Sequence, residues 1–120
     1  MVIDADAGQP VLANRVGGIS GPALKPIALR CVAEIAQAVN VPIIGTGGVC
    51  TGRDAAEMIM AGATAVGVGT AVWYRGVEAL GQIVGELDSF LRERGYRTLA
   101  DIRGLALRPP AARLPGPGNS

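Results

Sequence analysis

The sequence predicts an α/β fold in which parallel strands are covered by helices. Two short apolar runs, residues 41–45 and 65–69, have the length and the bounding breakers of buried strands. Three stretches with helical spacing of apolar residues alternate with them, so the order is helix, strand, helix, strand, helix, with short loops between. That alternation is typical of a parallel sheet in which a right-handed crossover joins neighbouring strands.

The elements before the first strand follow from turn chemistry and spacing. Residues 1–16 alternate apolar and polar side chains around a Gly-Gln-Pro break, which predicts a short hairpin or an extended loop. The glycine- and proline-rich stretch 17–22 predicts a turn. Pro26 suits the first turn of a helix that ends at Asn40. The apolar stripe of this helix consists of Ile27, Cys31, Val32, Ile35, Ala36 and Val39.

Two more helices are predicted after the first strand. Thr51 and Asp54 have the spacing of a capping box, and they open a short helix that Gly62 ends. A longer helix is predicted over residues 76–94 because apolar residues recur there at three- and four-residue intervals. The expected inward face of the longer helix consists of Val77, Leu80, Val84, Leu87 and Leu91.

The end of the chain divides into a folded and a flexible part. Thr98 and Asp101 repeat the capping pattern and predict one further capped turn or short helix. Beyond that turn the sequence becomes rich in proline and glycine, a composition that buries too little apolar surface to order itself. The fold is therefore expected over residues 1–105, with a disordered tail over residues 106–120.

Composition excludes several classes of function. Aromatic residues make up 3% of the chain and the net charge is +1, so neither a base-stacking platform nor a basic patch for nucleic acid or membrane is present. No basic leader or long apolar run follows Met1, so we expect a cytoplasmic protein. Histidine is absent and the acidic residues show no ligand spacing, so no metal site is expected. Cys31 and Cys50 do not form a CxxC pair and are expected to be reduced.

The most informative motif is a pair of glycine turns. Gly47 and Gly48 follow the first predicted strand, and Gly69 and Thr70 follow the second. Glycines let several backbone amides approach a phosphate, and helices that begin just beyond add their positive ends. In (β/α)8 barrels, the loops after the seventh and eighth strands frequently form such a site. The pair therefore indicates phosphate binding, with ordinary turn formation as the alternative.

Other polar and aromatic residues receive structural interpretations. Lys25 is a candidate ligand for a phosphate or carboxylate, but a solvated residue at a helix N-terminus is the better expectation. Cys50 lies beside the glycine turn, and no neighbouring base activates it, so a small packing residue is expected. Trp73 and Tyr74 are expected to pack at the rim of the fold.

Three segments in register resemble dihydroorotate dehydrogenases. Residues 17–30 read GGISGPALKPIALR, residues 41–49 read VPIIGTGGV, and residues 61–71 read AGATAVGVGTA. The order of the segments and the gaps between them also fit, and the resemblance covers about residues 1–105. It is greatest to the soluble class, and within that class to the type whose catalytic subunit pairs with an iron–sulfur flavoprotein subunit and reduces NAD.

The resemblance implies the C-terminal portion of an FMN-binding TIM (β/α)8 barrel, with its last two strands and three helices. It implies FMN-dependent oxidation of dihydroorotate to orotate in pyrimidine (UMP) biosynthesis. By the motif match, Gly21 would contact the flavin through its backbone. Gly47 and Gly48 would hold the FMN phosphate from one loop, and Gly69 and Thr70 from the next.

The resemblance also limits what this chain is expected to do alone. The family's catalytic Cys or Ser, its flavin-side lysine and its orotate-binding asparagines belong to earlier barrel strands. No catalytic residue is therefore expected here, and the chain by itself is expected to be inactive. An iron–sulfur/FAD electron-transfer subunit and a homo- or hetero-oligomer are implied. Two alternatives stay open: a dihydropyrimidine dehydrogenase-type flavoprotein domain, and a non-catalytic remnant that binds FMN or phosphate.

Overall fold

The computed structural model describes residues 1–109, which form five helices, two short 3-10 helices and two pairs of strands. The strands pair as β1 with β2 and as β3 with β4. In chain order the elements are β1 (Ile3–Asp4), β2 (Gln9–Pro10), a 3-10 helix (Pro22–Leu24), α1 (Lys25–Ala38), β3 (Ile44–Thr46), α2 (Gly52–Met60), β4 (Ala65–Gly67), α3 (Thr70–Arg75), α4 (Ala79–Glu93), α5 (Leu99–Ile102) and a 3-10 helix (Leu105–Leu107).

The central pairing is parallel, as the alternation of helices and strands predicts. Ile44 pairs with Ala65 and Thr46 with Gly67, so the two strands end at the same edge of the sheet. The loops that leave β3 and β4 therefore start side by side, which is the basis of the site described below. The predicted hairpin at the start of the chain is confirmed, since β1 and β2 pair antiparallel.

The core forms around α2, which lies between the two strands in the chain. Met58 and Ile59 are fully buried, and α2 packs mainly on α4 and also on α1 and α5. The packing uses small side chains, since Gly52 lies so close to α4 that an ideal Cβ would overlap the backbone around Glu86 and Leu87. The other buried apolar residues are Val32, Val49, Ala55, Ala56, Ala61, Ala63, Ala71, Ala79, Ile83, Leu91 and Ile102.

The prediction that both strands are buried is wrong for the described residues. Only Gly45 of β3 is buried, and the side chain of Ile44 is 71% exposed. β4 is exposed at Ala65 and half-buried beyond it. The reason is geometrical: a sheet with two strands leaves two edges and one face without a covering layer. The apolar composition of these strands suits a larger sheet.

The prediction of a longer helix over residues 76–94 is confirmed with a later start, at Ala79, but the sequence did not predict the short helix that precedes it. A separate helix, α3, begins directly after β4 and stops at Gly76, whose φ of 77° ends it. The following helix, α4, begins at Ala79 and buries Ala79, Ile83 and Leu91 against α2. Of the predicted inward face, Val77, Leu80 and Val84 are instead exposed.

The stripe predicted for α1 is likewise only partly buried. Val32 is buried, whereas Ile27, Ile35 and Val39 are exposed. A helix that packs on a two-stranded sheet meets a narrow surface, so most of a wide apolar stripe has no partner among the described residues. The exposed apolar residues of the helices and of the strands both indicate a fold with more layers.

The predicted caps are confirmed. The hydroxyl of Thr51 accepts from the Asp54 amide at 3.1 Å, and the Asp54 carboxylate accepts from the Thr51 amide at 3.0 Å. At α5, the carboxylate of Asp101 accepts from the amides of Thr98 and Arg97, both at 2.8 Å.

The tail predicted for residues 106–120 lies mostly outside the described residues, so its disorder stays a prediction. Its first residues continue the fold, because Leu105–Leu107 form a 3-10 helix that packs on α2. None of the helices in residues 1–109 is long and apolar enough to span a bilayer.

Candidate functional site

The two glycine turns meet at one cavity at the edge of the sheet where β3 and β4 end. Its volume is about 380 Å³, which lies within the usual range of small-molecule sites. Four of the five residues predicted from sequence line it together: Gly47, Gly48, Gly69 and Thr70. The other lining residues are Ser20, Leu24, Thr46 and Trp73.

Gly21, the fifth predicted residue, lines an adjoining cavity of about 340 Å³. The two cavities share Ser20, Thr70 and Trp73, so they form neighbouring parts of one concave surface. Gly21 is buried, has a φ of 110° and precedes the 3-10 helix that leads into α1. The five predicted residues therefore belong to one region of the molecule.

The glycines of the first turn serve the contact with the start of α1. Gly48 has a φ of 68°, and an ideal Cβ would lie 2.7 Å from the Gly21 carbonyl oxygen and 2.8 Å from the Lys25 amide nitrogen. Gly47 has a φ of 134°, and its Cβ would lie 2.6 Å from the Cβ of Ala28. Sequence reasoning assigned these glycines to the ligand side. The structure shows that they are also required by the packing behind the loop.

Gly69 is different, because it has ordinary backbone geometry and open space beside it. Its φ is −120°, and an ideal Cβ would meet no atom within 4 Å. Nothing in the protein packing of the described residues requires glycine here. The open side of Gly69 faces the cavity, which it helps to line.

Backbone amides are available at both turns. Among the loop and cap hydrogen bonds of residues 1–109, none is donated by the amide of Gly48 or of Thr70. The Ala71 amide donates to the Val49 carbonyl at 3.2 Å, which ties the two turns directly together. An anion in the cavity would supply the acceptors that such amides need.

The start of α2 does not offer its amides to a ligand, contrary to the prediction that this helix adds its positive end. The carboxylate of Asp54 accepts from the amides of Cys50 at 2.9 Å and Thr51 at 3.0 Å. The carboxylate of Glu86 on α4 accepts from the Gly52 amide at 2.6 Å. Two carboxylates of the protein thus accept the hydrogen bonds that the prediction assigned to a phosphate.

Lys25 is held in an ion-pair network, and the expectation of a solvated residue is corrected. Its Nζ lies 2.5 Å from Asp54 Oδ1 and 2.7 Å from Glu57 Oε2, and its side chain is 24% exposed. The hydrogen bond that Lys25 donates to Asp54 is the main reason that the pKa of Lys25 is raised, and the bond that it donates to Glu57 adds to this effect. Burial alone would raise the pKa of Asp54, but the hydrogen bonds from Lys25, Cys50 and Thr51 lower it below its ordinary value.

Arg75, the last residue of α3, contacts the loop that follows the first glycine turn, and the sequence analysis did not predict this role. Its Nη1 donates to the Cys50 carbonyl at 2.7 Å, and its Nη2 donates to Glu86 at 2.6 Å and to Gln82 at 2.7 Å. The hydrogen bond from Arg75 lowers the pKa of Glu86, and the bond from the Gly52 amide adds to this effect. The sequence does not distinguish Arg75 from the other nine arginines, because its hydrogen-bond partners lie up to 25 residues away in the chain.

Cys50 is half-buried between these groups, as its interpretation as a packing residue predicts. Burial, followed by the nearby Asp54 carboxylate, raises the pKa of its thiol. A thiol that is held in its neutral form is a poor nucleophile.

The chemistry that this site offers is binding and not proton transfer. Among residues 1–109, no carboxylate, thiol or amine lines the cavity between the two glycine turns; its polar groups are hydroxyls, backbone amides and the indole N–H of Trp73. Two consecutive strand–helix units, whose strand-end turns meet at one cavity, are typical of a parallel α/β-barrel protein.

Comparison with known proteins names the family. The family model for dihydroorotate dehydrogenase matches residues 1–91. The chain belongs to the dihydroorotate dehydrogenase family. Enzymes of this family are flavin-dependent.

Curated relatives match over nearly the whole chain. The chain is 45% identical over 108 residues to "Dihydroorotate dehydrogenase B (NAD(+)), catalytic subunit" of Pyrococcus horikoshii, which covers 90% of this chain and 36% of that protein. It is 50% identical over 104 residues to the protein of the same description from Geobacter sulfurreducens, with 87% and 34% covered. The chain thus spans about a third of the length of the curated relatives it matches.

Solved structures agree. The crystal structure of dihydroorotate dehydrogenase from Eimeria tenella in complex with ferulenol superposes with a TM-score of 0.74 at 40% identity, covering 78% of this chain and 25% of that one. The ligand-free form gives 0.73 at 37% identity, with 82% and 28% covered. These enzymes are TIM barrels, so the fold class predicted from sequence is confirmed.

Proposed function

We propose that the full-length protein is a dihydroorotate dehydrogenase and that the described residues form the phosphate end of its FMN site. The observation that carries the proposal is the meeting of Gly47, Gly48, Gly69 and Thr70 at one cavity. The two pairs of residues lie more than 20 positions apart in sequence, and the parallel pairing of β3 with β4 brings them together.

The cavity fits a phosphate group on three grounds. The amides of Gly48 and Thr70 take no part in the loop and cap hydrogen bonds of residues 1–109, and anions are bound by such amides. The position of Gly69 is open on the cavity side, so an oxygen can approach its backbone. The hydroxyls of Ser20, Thr46 and Thr70 add donors around the same space.

The proposal divides the chemistry between the cofactor and the protein. A bound flavin accepts the hydride in the oxidation of dihydroorotate to orotate. The described residues would hold and orient the cofactor through its phosphate, and Gly21, which lines the adjoining cavity, would contact the flavin through its backbone. Since no titratable group of residues 1–109 lines the cavity between the two glycine turns, the proposal assigns the base that removes the substrate proton to another part of the full-length protein. We therefore expect the 120-residue chain alone to show no turnover.

The proposal also covers partners and location. The relatives are described as catalytic subunits, which implies a second subunit in those enzymes. For this protein we propose a homo- or hetero-oligomer, in the cytoplasm, with an iron–sulfur/FAD subunit that carries electrons from FMN to NAD. The support is the 45–50% identity with the NAD-type catalytic subunits.

Substrate assays of the full-length protein test the proposal. With FMN and an artificial electron acceptor, we expect oxidation of dihydroorotate and little or no oxidation of dihydrouracil. Preference for dihydrouracil would favour the dihydropyrimidine dehydrogenase interpretation. Turnover of neither substrate by protein that has retained FMN would contradict both enzymatic interpretations and leave a flavin-binding protein.

A further inference from the structure

The loop that follows the first glycine turn is gripped from both sides by side chains of other elements. Arg75 donates to the carbonyl of Cys50, and Glu86 accepts from the amide of Gly52. Arg75 and Glu86 are themselves joined at 2.6 Å. These contacts close a ring that runs from the loop through α3 to α4 and back to the loop.

Arg75 lies on the same short helix as the second glycine turn. α3 begins at Thr70, so Arg75 is five residues along from a predicted phosphate contact. Its guanidinium crosses to the loop that begins at the other predicted contact, Gly48. One residue therefore connects the two halves of the candidate site through a rigid turn and a half of helix.

We propose that Arg75 is a positioning residue that fixes the spacing of the two glycine turns so that amides from both reach one phosphate. The proposal rests on the proposed function, because it assumes that the cavity receives the phosphate of FMN. Arg75 does not line the cavity, so its action on the ligand passes through Cys50 and α3.

The geometry requires arginine and not merely a positive charge. The planar guanidinium reaches three acceptors at 2.6–2.7 Å, which are the carbonyl of Cys50 and the side-chain oxygens of Gln82 and Glu86. A lysine ammonium has one nitrogen on a flexible stem and cannot hold these acceptors in one plane. The side chain of Arg75 is 29% exposed, so water screens its ion pair with Glu86 only in part.

Other arginine ion pairs in the described residues lack this arrangement. Arg92 pairs with Asp88 within one turn of α4, and both side chains are largely exposed. Such a pair contributes little to stability and connects no separate elements. Arg92 is therefore a matched control for Arg75: the same residue type, paired with a carboxylate, away from both glycine turns.

The test compares FMN with riboflavin, which lacks the phosphate, as ligands of the full-length protein. Fluorescence titration gives both dissociation constants for the unchanged protein and for R75K, R75Q, E86Q and the controls R92K and R92Q. We expect R75K and R75Q to weaken FMN binding by about tenfold, the loss typical of a charged hydrogen bond, with a change below about twofold for riboflavin. E86Q should shift FMN binding in the same direction by less, and the Arg92 variants should shift neither ligand.

The outcomes separate this inference from the proposed function. If the unchanged protein binds riboflavin as tightly as FMN, the phosphate site itself is wrong. If it prefers FMN and both Arg75 variants keep that preference, the phosphate site stands and the positioning role is wrong. Equal weakening of both ligands would show a general loss of structure and would also overturn the positioning role. If R75Q fails to fold, R75K, which keeps the positive charge, tests the positioning role through the same ratio of the FMN and riboflavin dissociation constants.

Discussion

The carbonyl oxygen of Gly21 lies where a side chain on Gly48 would have to go. An ideal Cβ on Gly48 would come within 2.7 Å of that oxygen, and the Gly48 backbone has a φ of 68°. The segment that leads into α1 thus rests directly on the first glycine turn. This contact constrains the turn, and the Gly48 amide donates none of the loop and cap hydrogen bonds of residues 1–109.

Substitution of Gly48 by alanine should destabilise the fold. The left-handed backbone costs a non-glycine residue about 1–2 kcal/mol, and the clash with a backbone oxygen adds to it. We expect G48A to lower the free energy of unfolding by about 2 kcal/mol or more in urea denaturation.

The control for this prediction is Gly81 on the exposed face of α4. Nothing lies within 4 Å of its ideal Cβ, and its backbone is helical. G81A should therefore raise the free energy of unfolding by about 0.5–1 kcal/mol. Equal effects of G48A and G81A would show that the contact behind the turn does not constrain the loop.

Substitution of Gly69 by alanine should affect binding without affecting stability. Its φ of −120° suits any residue, and no atom of the described protein opposes a Cβ. A methyl group there would occupy the space in which a phosphate oxygen approaches the backbone. We expect G69A to leave the melting temperature within about 1 °C, since surface changes cost little.

The binding readout for G69A is the dissociation constant of FMN, measured by flavin fluorescence. We expect it to rise, whereas that of riboflavin should stay the same. An unchanged affinity for FMN would mean that Gly69 does not face the ligand. A lower melting temperature would mean that its Cβ meets packing after all.

Substitution of Lys25 by methionine should destabilise the start of α1 and α2 together. The variant keeps the apolar stem but leaves Asp54, which is only 15% exposed, without its cation. Leaving a largely buried carboxylate unpaired costs about 1–3 kcal/mol, and we expect that loss in urea denaturation. R30M is the control, since Arg30 forms an exposed pair with Glu34 and should cost less than about 0.5 kcal/mol.

The pH dependence of stability should show the same network. The lowered pKa of Asp54 and of Glu86 contributes stability that is present above about pH 4, their unfolded range, and is lost as the pH falls through the folded values. The raised pKa of Lys25 contributes stability that is complete below about pH 10 and is lost as the pH rises through the folded value.

Urea denaturation of the unchanged protein and of K25M across acid and alkaline pH checks this prediction. K25M should lose the alkaline decline that belongs to Lys25, and its acid decline should be smaller because Lys25 no longer lowers the pKa of Asp54 in the folded state. Parallel curves for the two proteins would contradict the assignment of this linkage to the Lys25–Asp54 pair.

The local structure could be predicted from sequence where the cause was local. The capping residues Thr51 and Asp54, the end of α1 and the parallel order of β3 and β4 all follow from spacing and turn chemistry. The convergence of the two glycine turns also followed, because parallel strands that are neighbours must end at one edge.

What could not be predicted depends on contacts between distant residues. The boundary between α3 and α4 lies at Gly76, which ends α3 with a φ of 77°. The periodicity of apolar residues in the sequence does not show this break. The inward face of α4 is set by the close approach of Gly52, which turns Ile83 and not Val84 toward α2. The hydrogen bond from the Gly52 amide to Glu86 likewise joins residues 34 positions apart.

The most direct test of the phosphate site is a backbone amide NMR titration of the full-length protein with FMN and, separately, with riboflavin. The site predicts that FMN shifts the amide signals of Gly48, Gly69 and Thr70 strongly, and that riboflavin leaves those three nearly unchanged. If FMN binds while these signals stay in place, or if riboflavin moves them equally, the two glycine turns do not hold the phosphate.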